Sequence, residues 1–140
     1  MNAKSGDESG LRLAFAVAAK AREHGNHPFG CVLVGPKGDV LLETENGYMP
    51  DRDMTAHAER LLATTASRQY RPAELSGCTM YTSAEPCAMR AGAVYWAGIG
   101  RVVYGLSEAR LKQITGSMRK IPLWNCPAGL YFRPASAKLR

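Results

Sequence analysis

The sequence predicts an α/β fold, a three-layer α/β/α sandwich around a mixed central sheet. Three observations predict it. Helical and strand-like patterns alternate along the chain in the order α-β-β-α-β-α-β. The first two strands are joined by a tight turn, so they pair as an antiparallel hairpin. The later strands are reached through helices, and such crossovers make them parallel to one another.

Residues 1–10 are polar and read as a flexible leader. Leu11 to Glu23 carries helical spacing at Leu11, Phe15, Ala18 and Ala19, and Gly25 with Asn26 ends it. Gly30-Cys31-Val32-Leu33-Val34 is a short apolar strand, Gly35-Pro36-Lys37-Gly38-Asp39 is its turn, and Val40 to Glu45 returns. Asn46 to Met54 reads as a loop and Thr55 to Ser67 as the second helix. Tyr70 to Gly77 reads as a loop, followed by a buried strand over Cys78 to Ser83. Pro86 suits a first helical position, which places the third helix from there to Ala97. Arg101 to Tyr104 is a strand between Gly100 and Gly105, and Ser107 to Ile114 a short helix.

With 140 residues, 46% hydrophobic and 21% charged, the chain fits one globular domain with a single core. The division expected is a leader over 1–10, the folded domain over 11–116 and a basic tail over 117–140. No apolar run reaches the length of a membrane span, and Met1 to Gly10 lacks the apolar block of a signal peptide, which predicts a cytoplasmic protein. Cys31, Cys78, Cys87 and Cys126 are too dispersed for a disulfide scaffold. The net charge of +6 hints at nucleic acid, but no Asp or Glu follows Glu108. Arg119, Lys120, Arg133, Lys138 and Arg140 account for five of the six excess charges, so the basic character is a tail and not a face of the body.

The chemistry lies in Thr55-Ala56-His57-Ala58-Glu59 and Ser83-Ala84-Glu85-Pro86-Cys87-Ala88-Met89-Arg90, with Asn46 upstream. Glu59 shares a helix face with Leu62, Ala63 and Ala66, and no Lys or Arg stands three or four residues away. Such a carboxylate is either a functional group or a solvated one on a rotated helix. His57 opens the same helix, and taken alone it is more often structural than a ligand. Cys87 opens the next helix, where the helix N-terminus favours thiolate, though a lone cysteine is usually a core residue.

Together, His-x-Glu at one helix start and Ser-x-Glu-Pro-Cys at another resemble the zinc signature of the nucleobase deaminases, His-x-Glu with Pro-Cys-x-x-Cys. From Leu33 to about Leu106 the chain resembles the cytidine-deaminase-like superfamily, nearest its purine branch of guanine deaminases and tRNA-specific adenosine deaminases. Pro28-Phe29-Gly30, Asn46, the two motifs above and Gly92-Ala93-Val94-Tyr95-Trp96-Ala97 carry the likeness. The resemblance implies one zinc per chain, with His57 and Cys87 as ligands and Glu59 as the proton shuttle. It implies hydrolytic deamination of an aminated purine-like base or nucleoside, in which Glu59 passes a water proton to the ring and then to the departing ammonia. It also implies a substrate contact from Asn46, a pocket containing Phe29 and Trp96, and a homodimer formed through helices. Trp96 fits core packing with Ala93 and Met89 equally well. A tRNA partner is the alternative substrate, and a non-catalytic binding protein of the same fold is a further one.

Arg90 breaks the signature. It stands three residues after Cys87, where the family has its third zinc ligand, and a guanidinium only donates. At 4 Å two unit charges repel by about 4 kcal/mol at an effective dielectric near 20, and a dication doubles that. The expectation is weak or absent zinc and impaired deamination. Two rescues are open: Cys31 swings in as a substitute ligand, or Arg90 turns to solvent or pairs with Glu59 in imitation of the cation. The tail also departs from the family. Pro122, Pro127 and Pro134 interrupt it and it has no acid to read the 2-amino face of guanine.

Overall fold

In the computed structural model, residues 3–115 are described, and the basic tail expected over 117–140 lies outside them. The order is α1 (Ala3–Glu23), β1 (Gly30–Val34), β2 (Val40–Glu45), α2 (Ala58–Gln69), α3 (Pro72–Leu75), β3 (Thr79–Ala84), α4 (Ala88–Ala97), β4 (Arg101–Leu106) and α5 (Glu108–Thr115). The sheet order is β2-β1-β3-β4. β1 pairs antiparallel with both β2 and β3, whereas β3 and β4 are parallel, so the sheet is mixed as the connections require.

The two-residue period of β1 sorts the core into two halves. Cys31 and Leu33 face α2 and α4, in a cluster with Leu62, Ala66, Met80 and Val94. Val32 faces the other way, with Tyr81 and Val103, against Ala14 and Val17 of α1. Helices thus cover both faces, giving the three layers. No helix among the described residues is long and apolar enough to cross a membrane.

Within the stretch expected as a flexible leader over residues 1–10, α1 begins at Ala3. Contacts distant in sequence hold this first part. Asp7 accepts two 2.7 Å hydrogen bonds from Arg101 and a 2.9 Å bond from the Tyr81 hydroxyl. Gly10 lies so close to Tyr81 that a Cβ there would stand 2.5 Å from the ring. The Arg101 hydrogen bonds hold the Asp7 carboxyl below its ordinary range, against the opposing effect of burial. A carboxylate depressed in this way stabilises fully above the unfolded value of about 3.9, and loses that contribution as pH falls through its folded value. Amide exchange over residues 6–10 is therefore expected to accelerate below about pH 4 relative to α2. Asp7→Asn is expected to accelerate it at neutral pH by about two- to fivefold, the screened value for a partly exposed pair. Equal exchange in variant and wild type would remove Asp7 from this role.

Smaller corrections concern helix starts. α2 begins at Ala58, not Thr55, because His57 is still extended at ψ 145°. α4 begins at Ala88, not Pro86, because Cys87 is extended at ψ 172°. The stretch 70–77 contains the short helix α3. At the far end of α4, Gly98 takes φ 80°, a left-handed stop that glycine adopts without strain.

Candidate active site

His57 and Cys87 are the N-cap residues of α2 and α4, and the fold brings those two helix starts together. The His57 Nδ1 and the Cys87 Sγ are 3.9 Å apart. Glu59, in the first turn of α2, is fully buried, so the solvated alternative for this carboxylate is excluded. Its partner comes from α4. Arg90 reaches back over the start of its own helix and inserts its guanidinium between the carboxylate and the sulfur. Arg90 Nη1 donates to Glu59 Oε1 at 3.0 Å and lies 3.3 Å from Oε2. Its Nε donates to Cys87 Sγ at 3.3 Å, and its Nη2 to the Glu85 carbonyl at 3.1 Å. The Arg90 side chain is only 11% exposed, so the pairing with Glu59 is internal and the solvent-directed alternative does not occur.

One residue of this cluster escaped the sequence reading. Thr82 Oγ1 donates to Glu59 Oε1 at 2.6 Å from the core-facing side of β3. The signal was present: Met80 and Thr82 share a strand face, and a hydroxyl on a core face needs a partner. Among the described residues, no buried side-chain nitrogen or oxygen lacks a hydrogen-bond partner.

Charge follows this geometry. Burial pushes the Cys87 thiol up, but the contact with His57 and the neighbouring Arg90 outweigh it and bring the group to about 6. Burial lowers the Arg90 guanidinium, and the Glu59 and Cys87 charges more than restore it, so it stays a cation.

The other expected residues are placed as follows. Asn46 is buried, its backbone N–H donates to the Phe29 carbonyl at 3.0 Å, and its Oδ1 accepts from the Tyr48 backbone N–H at 3.1 Å. Gly47 bonds to the Ala56 carbonyl at 2.9 Å, which ties the Phe29–Asn46 corner to the segment carrying His57. Trp96 is not brought to this cluster. It lies nine residues along α4 from Cys87, about 13 Å down the helix axis. Core packing is overturned for it as well: Trp96 is 85% exposed, edge-on to Tyr95 at 5.6 Å, beside a groove between α2 and α4. The substitution of Cys31 for the missing ligand is also corrected. Its sulfur is fully buried in β1 and directed to the Thr44 carbonyl, and burial, then the Glu59 charge, hold its thiol well above the ordinary range.

Zinc asks for three protein donors and a water in a site of this kind. His57 and Cys87 supply two, and the third position supplies a donor-only cation. Among the described residues, no group of three His, Cys, Asp or Glu side chains is arranged to hold a metal. The donor set does not fit the ion.

Comparison with known proteins gives the ancestry of this arrangement. The sequence model of the cytidine and deoxycytidylate deaminase zinc-binding region matches residues 4–106. A probable cytosine deaminase of Schizosaccharomyces pombe is 41% identical over 112 residues, 80% of this chain and 67% of that protein. A guanine deaminase of Bacillus subtilis is 37% identical over 98 residues, 69% and 62% of the two chains. A tRNA-specific adenosine deaminase of Haemophilus influenzae is 35% identical over 102 residues, 73% and 59%. The chain thus spans about two thirds or less of the length of these relatives. The solved guanine deaminase of Bacillus subtilis superposes with a TM-score of 0.69 at 33% identity, covering 82% of this chain and 71% of that one. By its sequence over residues 4–106, and by a sheet and helices that superpose on those of solved deaminases, the chain belongs to the cytidine and deoxycytidylate deaminase family, whose members are hydrolytic deaminases.

Proposed function

We propose that this chain carries a deaminase site for an aminated purine-like base or nucleoside in which hydrolysis is suppressed by Arg90. The observation that carries the reading is the placement of the guanidinium on both oxygens of Glu59. A shuttle must give and take a proton in reach of the substrate. Here the carboxylate is sealed from solvent and already accepts from Arg90 and from Thr82. His57 and Cys87 are the intended metal ligands of the ancestral site, and Asn46 with Phe29 forms its base-binding corner. Zinc is held weakly or not at all.

The test is ammonia release from guanine, guanosine, adenine and cytosine. The wild-type chain is expected at background with each, and Arg90→Cys loaded with zinc at least about 100-fold higher with one purine. Wild-type turnover within tenfold of that variant would overturn the suppression. A response to cytosine alone would move the substrate to the pyrimidines, as the name of the Schizosaccharomyces pombe relative suggests.

A tRNA reading has specific support in the relatives named tRNA-specific adenosine deaminases and in the basic residues from Arg119 onward. A mobility shift with tRNA that weakens steeply with salt would favour it. The exposed Tyr95 and Trp96 on α4 support a homodimer, which sedimentation of wild type against Trp96→Ser tests.

A further inference from the structure

The misfit between donor set and metal has a constructive side. We propose that the Arg90 guanidinium is a tethered replacement for the metal: it joins the same elements that a bound ion would join, and so makes this corner of the fold independent of metal.

Three anchors carry the inference. The guanidinium grips the Cys87 sulfur at the N-cap of α4, the Glu59 carboxylate of α2 and the Glu85 carbonyl between β3 and α4. Glu59 is then tied to the sheet through Thr82 of β3. A lone surface arginine would leave Cys87, His57 and Glu59 converging without a cation. Here the positive charge bonds to both Cys87 and Glu59, and the side chain is almost sealed. Cys87 and Glu59 bind it directly and His57 meets the Cys87 sulfur at 3.9 Å, so each residue that a metal-binding ancestor would keep has a contact in this arrangement. The planar fork of arginine serves this purpose because it donates in three directions at once, which an ammonium on a single stem does not do with fixed geometry. Cys87 caps α4 and Arg90 stands three residues later in its first turn, so the cation needs no new backbone path.

This inference rests on the deaminase ancestry of the site but not on any choice of base, and its test reads stability and metal instead of turnover. Thermal unfolding is measured with and without chelator, and with added zinc, for wild type, Arg90→Cys and Arg90→His. The wild-type transition is expected to move by less than about 1 °C in either condition. Both variants are expected to fall with chelator and to rise by at least about 5 °C with zinc at a hundredfold excess over its dissociation constant. Cobalt(II) is added to the same samples as a probe, and thiolate-to-cobalt absorption is expected in Arg90→Cys and not in wild type. A wild-type chain that loses its stability on chelation, or shows the thiolate–cobalt band, overturns the proposal. So does a pair of variants that fold with the wild-type transition and ignore metal, because Arg90 would then be an ordinary ion-pair residue. If Arg90→Cys does not fold, Arg90→His and the wild-type arm still decide the question.

Discussion

Arg90→Ala is expected to lower folding stability by about 3–5 kcal/mol, measured by urea unfolding in the presence of chelator. Glu59 is fully buried, and without the guanidinium its remaining hydrogen bond is the Thr82 hydroxyl. A buried charge stripped of its partner keeps its desolvation cost and loses its compensation. The loss should come from that orphaned carboxylate, not from the missing arginine itself. The double variant Arg90→Leu with Glu59→Leu is therefore expected to recover most of the stability, since apolar groups of similar volume often replace a buried ion pair at little cost. A loss under about 1 kcal/mol for Arg90→Ala would place the pair in the class of solvent-screened surface bridges and contradict its burial.

Arg90→Cys is expected to produce the largest gain of function. It restores a sulfur three residues after Cys87, whose own Sγ lies 3.9 Å from His57 Nδ1 at the start of α2. It also removes the charge that repels a dication and frees Glu59 from its ion pair. The variant should bind close to one zinc per chain, with three protein ligands and an open fourth position. Metal analysis by mass spectrometry after gel filtration checks the stoichiometry. A folded variant that stays metal-free at stoichiometric zinc would show that more than position 90 has been lost from the ancestral site.

Local signals in the sequence were enough for the hairpin, since the turn over Gly35-Pro36-Lys37-Gly38-Asp39 and the apolar run Gly30 to Val34 before it mark both strands, and they were found where expected. The parallel relation of β3 and β4 followed from the helix between them. The starts of α2 and α4 were misplaced by two or three residues because His57 and Cys87 have non-helical backbone although their neighbours are good helix formers. The helical state of residues 3–10 was illegible for a different reason. Asp7 bonds to Tyr81 and Arg101, and Gly10 packs against Tyr81, partners more than 70 residues away. Within the site, the motif identified His57, Glu59 and Cys87, and their convergence required only the two helix starts to meet. The direction of Arg90 was open, because a flexible side chain on an exposed-looking helix turn is directed by a buried carboxylate that local spacing does not reveal. Trp96 had two readings, a pocket aromatic by resemblance and core packing by its helical spacing with Ala93 and Met89, and its exposure at the far end of α4 excludes the core reading.

Zinc content of the wild-type chain, purified without chelator and after equilibration with stoichiometric zinc, bears most directly on the replacement of metal by Arg90. The expected value is below about 0.1 zinc per chain, because only two donors and a resident cation face the ion. Close to one zinc per chain, with metal–sulfur distances of about 2.3 Å by X-ray absorption, would contradict it.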